Sequence, residues 1–292
     1  MASNTRNVKL GVCQLFFGGV DLGYTKGGVE VSVSTETYEV SVDQFGKTAI
    51  NHLIMGRECK VKAPLAETTL ENMVAIMPGA TMTSTGGTVA SGTITVTTNP
   101  TANDTILVNG ATYTFRTGTA PLEYDVLIGA AAANTATNLA AKLNASMDPR
   151  VAAATYSVAT AVVTVKYGSA LIYGTEGMKG TEGNTFTLNA GTAGAKVTLS
   201  GATLAGGTEP TAKIVDVTTG IGMDLLSIAK ELRLHPANKA DSDLSEDFII
   251  PLAGTAGALT YAYKIDDERV FSVEFSGYPD PVTKRLFKVG GR

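Results

Sequence analysis

The chain contains no tryptophan, two cysteines and two histidines among its 292 residues. Each scarcity closes off a class of function. Without tryptophan, the commonest aromatic anchor for sugars and organic cations is missing. Cys13 and Cys59 are too few for a disulfide framework and read as thiols made in a reducing cytosol. His52 and His235 have no Cys or His at ligand spacing, so no zinc motif exists. No apolar run approaches the roughly 20 residues of a membrane-spanning helix, so membrane insertion is not expected. The opening stretch MASNTRNVKLGVCQLFFGGV has a brief apolar patch but no long h-region, and it does not read as a signal peptide. The net charge of −4 offers no basic footprint for tight nucleic-acid binding.

Catalytic motifs fail on inspection. Phe45-Gly46-Lys47-Thr48 resembles the end of a P-loop, but the glycine required five residues before Gly46 is Ser41. Asp241, Asp243 and Asp247 would need glycine and glutamate where Glu246 and Leu252 stand to form an EF-hand. They read as a solvated acidic loop. The repeat GTEGMKGTEGN (Gly174–Asn184) is too short for a collagen-like helix and reads as a mobile surface loop. No catalytic, cofactor-binding or metal site is expected, and the chain does not read as an enzyme.

What the chain does have is alternation. In VEVSVSTETYEVSVD (Val29–Asp43), Val29, Val31 and Val33 alternate with Glu30, Ser32 and Ser34. After Thr35–Thr37, Tyr38, Val40 and Val42 alternate with Glu39, Ser41 and Asp43. Period-two alternation marks a half-buried strand. Two such runs around a polar turn predict a β-hairpin. Val29, Val31, Val33, Tyr38, Val40 and Val42 would form its packing face. Its wet face would carry hydroxyls and carboxylates and no base.

Composition divides the chain in two. Between Gly86 and Thr208, 63 of 123 residues are Gly, Ala or Thr, and the 12 charged residues cancel. The flanks carry the whole net charge of −4. This predicts an inserted domain at 86–208, entered through flexible glycine junctions, within a discontinuous domain of 1–85 and 209–292. The insert reads as a small β-rich module with one helix over Gly129–Met147 and a hairpin at Asn109-Gly110. In the outer domain, strands are expected at Lys60–Leu65, Ala212–Val217 and Phe271–Phe275, and a helix at Thr68–Met77. Leu225–Leu234 suits either a helix or a strand. The arm Met1–Lys26 and the segment Gln44–Gly56 are expected to be mobile in the monomer and to order on assembly.

Two segments also carry a resemblance. GVDLGYTKGGVEVSVSTETYEVSVDQFGKTAIN (Gly19–Asn51), followed by MGRECKVKAPLAETTLENMVAIMPGA (Met55–Ala80), resembles the N-terminal part of bacteriophage major tail (tail tube) proteins. From about Leu225 to Gly290, with LRLHPANKADSDLSEDFIIPLA and AYKIDDERVFSVEFSGYPD, the chain resembles their C-terminal part. The resemblance implies a mainly β (α+β) fold: a tail-tube β-sandwich or barrel with a flanking helix and a long hairpin, here carrying an inserted small β-rich domain. It implies a structural virion protein, made in the host cytoplasm, whose copies form stacked rings, hexameric in such tubes. The channel passes genomic DNA without specific binding. Tape-measure, baseplate or tail-tip, and tail-terminator proteins would be its partners. Glu30, Ser32, Ser34, Glu39, Ser41 and Asp43 would then face the lumen. The insert would project outward, which suits a noncontractile, siphovirus-like tail, and would be dispensable for assembly. The competing readings are a tail terminator or hub ring protein, and a β-rich host-surface adhesin.

Overall fold

The computed structural model describes residues 11–120, 122–241, 243–257, 259–260 and 263–291. Residues 1–10 of the N-terminal arm lie outside the described residues. The chain is mainly β, with several antiparallel sheets. The first segment forms β1 (Cys13–Phe17), β2 (Val20–Asp21), β3 (Glu30–Ser41), β4 (Ala49–Leu65), α1 (Leu70–Ile76) and β5 (Ala80–Thr85). The middle forms β6 (Ser91–Val96), β7 (Thr105–Val108), β8 (Ala111–Arg116), β9 (Asp125–Leu127), α2 (Ala132–Asn144), α3 (Pro149–Ala152), β10 (Ala154–Ala159), β11 (Val162–Tyr167), α4 (Ala170–Tyr173), β12 (Leu188–Asn189) and β13 (Val197–Leu199). The last segment adds β14 (Ala212–Val217), β15 (Lys230–Pro236), β16 (Phe248–Thr255), β17 (Phe271–Tyr278) and β18 (Lys288–Val289).

The outer segments build one eight-stranded sheet in the order β2-β1-β15-β16-β17-β4-β3, with β18 on β16. Alternation decides which face is buried. Cys59, Val61, Ala63 and Leu65 of β4 point inward, as do Phe271, Val273 and Phe275 of β17. They pack with Leu15, Phe17, Leu232 and Ile250 and with Ala75 and Ile76 of α1. The helix starts where Thr69 Oγ1 accepts a hydrogen bond from Asn72 N at 3.1 Å. Gly79, at φ +77°, turns the chain out of it into β5. The ambiguous segment resolves as the strand β15. Leu232 and Leu234 serve the core on one face, while Arg233 and His235 fill the other.

A separate hydrophobic cluster lies within Ala90–Leu204. Two four-stranded sheets, β10-β11-β6-β13 and β12-β7-β8-β9, flank α2, whose Ala136, Leu139 and Leu143 are buried. Asn109 and Gly110, at φ +46° and +79°, form the tight turn between β7 and β8.

Four expectations are corrected here. Gly11–Lys26 is not a free arm, because β1 pairs along its length with β15 and buries Leu15, Phe16 and Phe17. Gln44–Gly56 is not a loop, because β4 begins at Ala49. The glycine repeat is not a loose loop either. A Cβ on Gly183 would lie 2.5 Å from the Tyr167 Cβ, and one on Gly177 would lie 2.8 Å from the Tyr167 carbonyl oxygen. The repeat is therefore a strap packed against β11, and the glycines allow the close approach. The junctions are also structured. Thr88 and Thr208 pair across them, continuing the β5–β14 ribbon towards the insert.

Candidate functional site

The feature without an internal explanation is the hairpin of β3 and β4. The two strands pair from Glu30–Lys62 to Ser41–Ala49. From Glu30 to Glu58 every residue is exposed except Val40, Val42 and Ala49, which are half-buried. Only the base of the hairpin is anchored, where β4 joins β17 and Val29 packs on the core. A two-stranded ribbon is marginally stable by itself in water. Among the described residues β3 is also the last strand of its sheet, so its outer edge of 12 residues presents unpaired backbone groups.

The turn expected at Thr35–Thr37 does not form, and β3 runs straight through it. Its threonines and Tyr38 favour strand, and no Gly, Asn or Pro is present to supply turn geometry. The real turn lies further on, in a short 3-10 stretch at Asp43–Phe45 closed by Gly46 at φ +61°. This changes the faces. In an uninterrupted strand Glu30, Ser32, Ser34, Glu36, Tyr38 and Val40 share one side, while Val29, Val31, Val33, Thr35, Thr37, Glu39 and Ser41 share the other. The six residues expected in the lumen therefore divide: Glu30, Ser32 and Ser34 face opposite to Glu39 and Ser41. Asp43 sits in the turn. The expected packing set divides likewise, with Val29, Val31 and Val33 opposite to Tyr38 and Val40, and Val42 preceding the turn.

The apolar side of the hairpin thus changes at mid-length. β4 changes with it. A bulge leaves Met55 unpaired between Gly56, opposite Glu36, and Ile54, opposite Thr37. Below the bulge, Val31 and Val33 lie opposite the buried Val61 and Cys59. Above it, Tyr38 lies opposite Leu53 on the other side. Tyr38, Leu53, Ile54 and Met55 are 58%, 51%, 59% and 66% exposed, and Phe45 in the turn is 65% exposed.

The polar side of the base is not free of bases. Pairing places Lys60 and Lys62 of β4 beside Ser32 and Glu30, and Glu274 of β17 beside Lys62. Lys60 bridges Glu58 at 3.0 Å and Glu274 at 3.8 Å. Four glutamates (Glu30, Glu36, Glu58, Glu274) and two lysines leave this face at a net charge of −2. Hydrogen bonding and charge from Glu58, and the charge of Glu274, hold the Lys60 ammonium above its ordinary range, so it stays protonated. Nearer the turn, His52 Nε2 lies 3.5 Å from Glu39 Oε1.

A cleft of about 670 Å³ lies between the far face of the large sheet and the insert. Gln14, Phe16 and Arg233 line one side; Tyr124, Asp148 and Arg150 line the other. Asp148 and Arg150 engage each other. Arg150 holds Asp148 at 2.6 Å, and Tyr124 Oη donates to the same carboxylate at 3.0 Å. Burial alone would raise the Asp148 carboxyl, but bonds from Arg150 and Tyr124 outweigh it and hold it below the carboxylate range. Asp247, expected in a solvated loop, is fully buried 2.7 Å from His235 Nδ1. An ionised carboxylate only accepts, so Nδ1–H is the donor. Arg233 lies 3.8 Å from the same carboxylate and stacks over Phe16. Sequence reasoning missed this cluster. The signal was the alternation of Arg233 and His235 with the core residues Leu232 and Leu234 in one strand.

The middle segment, 86–208, is fastened to the core built by the outer segments. Leu171 and Ile172 of α4 pack on the outer core. Tyr173 Oη donates to Glu71 Oε1 at 3.1 Å, and Lys213 Nζ donates to the same oxygen at 2.8 Å. Lys179 Nζ donates to the Ser84 carbonyl at 2.8 Å. Among the described residues no cluster of His, Cys, Asp or Glu could hold a metal, and no helix is long and apolar enough to cross a membrane. No protein-family model matches the chain, and no curated protein was found to match it.

Proposed function

We propose that this chain is a structural protein that assembles with copies of itself into stacked rings, forming the tube of a phage tail through which DNA passes. The observation that carries this reading is the exposed hairpin. A long edge strand, β3, in a hairpin that exposes Tyr38 and, on β4, Leu53, Ile54 and Met55 is an aggregation hazard in a solitary protein. Closing such edges around a ring removes the hazard, and non-closing contacts along the axis make a filament. The resemblance of the outer segments to major tail proteins supports the same reading. In the ring the polar face with Glu30, Ser32, Ser34 and Glu36 would line the channel. Its net charge of −2 per copy repels phosphate, and the nearby glutamates occupy Lys60, so DNA slides without being held. The tube would belong to the virion and would meet tape-measure, tip and terminator proteins at its ends.

The test is negative-stain electron microscopy of the purified protein at rising concentration. Hollow tubes of constant diameter are expected. Isolated rings would replace the tube reading with a terminator or hub. Persistent monomers would remove self-assembly and leave the adhesin reading.

A further inference from the structure

The chain leaves a second apolar surface open, and it is concave. A groove of about 280 Å³ lies between Val74 and Met77 beside α1, Leu171 of the insert, and Ile228 and Lys230 at the start of β15. The exposed side chain of Met223 reaches Gly79 on its wall. The hairpin end is the convex counterpart, with Phe45 at its turn and Ile50 and Leu53 behind it, all exposed. The volume suits one aromatic side chain.

Charge agrees with shape. Lys230 at the groove and Asp43 at the hairpin turn are of opposite sign, and neither makes an ion pair among the described residues. Two unlike surfaces on one chain join head to tail and propagate unless a rotation closes them. We infer that the hairpin end of one copy docks in this groove of the next, with Phe45 in the groove and Asp43 beside Lys230. This rests on the self-assembly reading above and names the partner of the hairpin end: a second copy of this chain. It also reverses an expectation. Because Ala170 and Leu171 line the groove, the insert forms part of the contact and is not dispensable.

The experiment uses two full-length variants, Phe45→Asp and Ile228→Asp, both at exposed positions. Circular dichroism melts establish that each folds. By analytical ultracentrifugation each alone is expected to stop short of tubes where the unaltered chain polymerises. Mixed in equal amounts they should associate in 1:1 proportion without growing into tubes, since the intact hairpin end of one variant meets the intact groove of the other. A charge exchange is the second arm: Lys230→Glu and Asp43→Lys should each raise the critical concentration about tenfold, and the double variant should restore it. A mixture that stays monomeric, a single variant that polymerises normally, or a double variant no better than its parents would overturn the docking while leaving self-assembly standing. An unaltered chain that remains monomeric would sink both.

Discussion

The double substitution Tyr38→Ser, Leu53→Ser separates an assembly surface from an ordinary part of the fold. The two side chains are cross-strand partners above the bulge, and a little over half of each is exposed. Fully burying a large apolar side chain is worth about 1.5–3 kcal/mol, so roughly 1–1.5 kcal/mol per residue remains to be gained on assembly. Losing both should weaken each inter-copy contact by about 2–3 kcal/mol, which raises the critical concentration for polymerisation roughly 30- to 150-fold. The monomer should hardly notice. It loses one cross-strand pair, worth about 0.5 kcal/mol, in a ribbon that the core does not support. Pelleting or light scattering across a concentration series gives the critical concentration, and calorimetry of dilute protein gives Tm. An unchanged critical concentration combined with a Tm drop of many degrees would refute the reasoning, since the patch would then be covered within the chain.

Four other outcomes follow from the same geometry. Glu30→Lys with Glu36→Lys turns the polar face from net −2 to net +2; tubes should form and now retain DNA in a salt-sensitive manner, and equal passage of DNA through both tubes would count against the channel assignment. Asp247→Ala leaves His235 Nδ1 buried without its acceptor and should cost about 3–5 kcal/mol in urea unfolding; a loss under 1 kcal/mol would mean that the cluster is solvated. Gly183→Ala drives a Cβ to 2.5 Å from that of Tyr167 and should cost about 1–3 kcal/mol by overpacking, whereas a mobile strap would tolerate it with no change in Tm. Burial alone would raise the Glu71 carboxyl, but Lys213 and Tyr173 outweigh it and hold it below its ordinary range; its contribution is therefore complete above about pH 4.3 and lost as pH falls through the lowered value, so amide exchange around Tyr173 should accelerate below pH 4 and Glu71→Gln should abolish that dependence.

Where one force decided the local structure, the sequence was legible. The helix expected at Thr68–Met77 is present as α1, because helical spacing and the stop at Pro78-Gly79 agree, but it buries Asn72, Val74, Ala75 and Ile76 and leaves Leu70 exposed. Asn109-Gly110 reads as a turn because both residues tolerate positive φ. The strand expected at Phe271–Phe275 follows from alternation alone, and Ala212–Val217 is also a strand as expected. Failures came where long-range contacts decided. Composition made Gly174–Asn184 look loose, yet the absence of Cβ atoms is what lets Tyr167 and Ala90 approach it. Asp247 read as a loop carboxylate because its partner His235 lies across a strand pair, beyond any local window.

The hairpin is the instructive case, because its pattern was seen and its meaning inverted. A change of phase in an alternating run has two explanations: a turn, or a strand whose apolar side changes. A turn needs a residue suited to turn geometry, and Thr35-Glu36-Thr37 contains none. A change of side needs the partner strand to change at the same level. β4 does so through the bulge at Met55, passing from Cys59 on the core side to Leu53 on the other. The consequence is mechanical. The base of the hairpin offers its apolar side to its own core, and the outer half offers Tyr38 and Leu53 in the opposite direction. One surface laid along one face cannot cover both. A ribbon with this pattern needs its own domain at the base and a different body at the tip, and a chain that assembles with its copies supplies that second body.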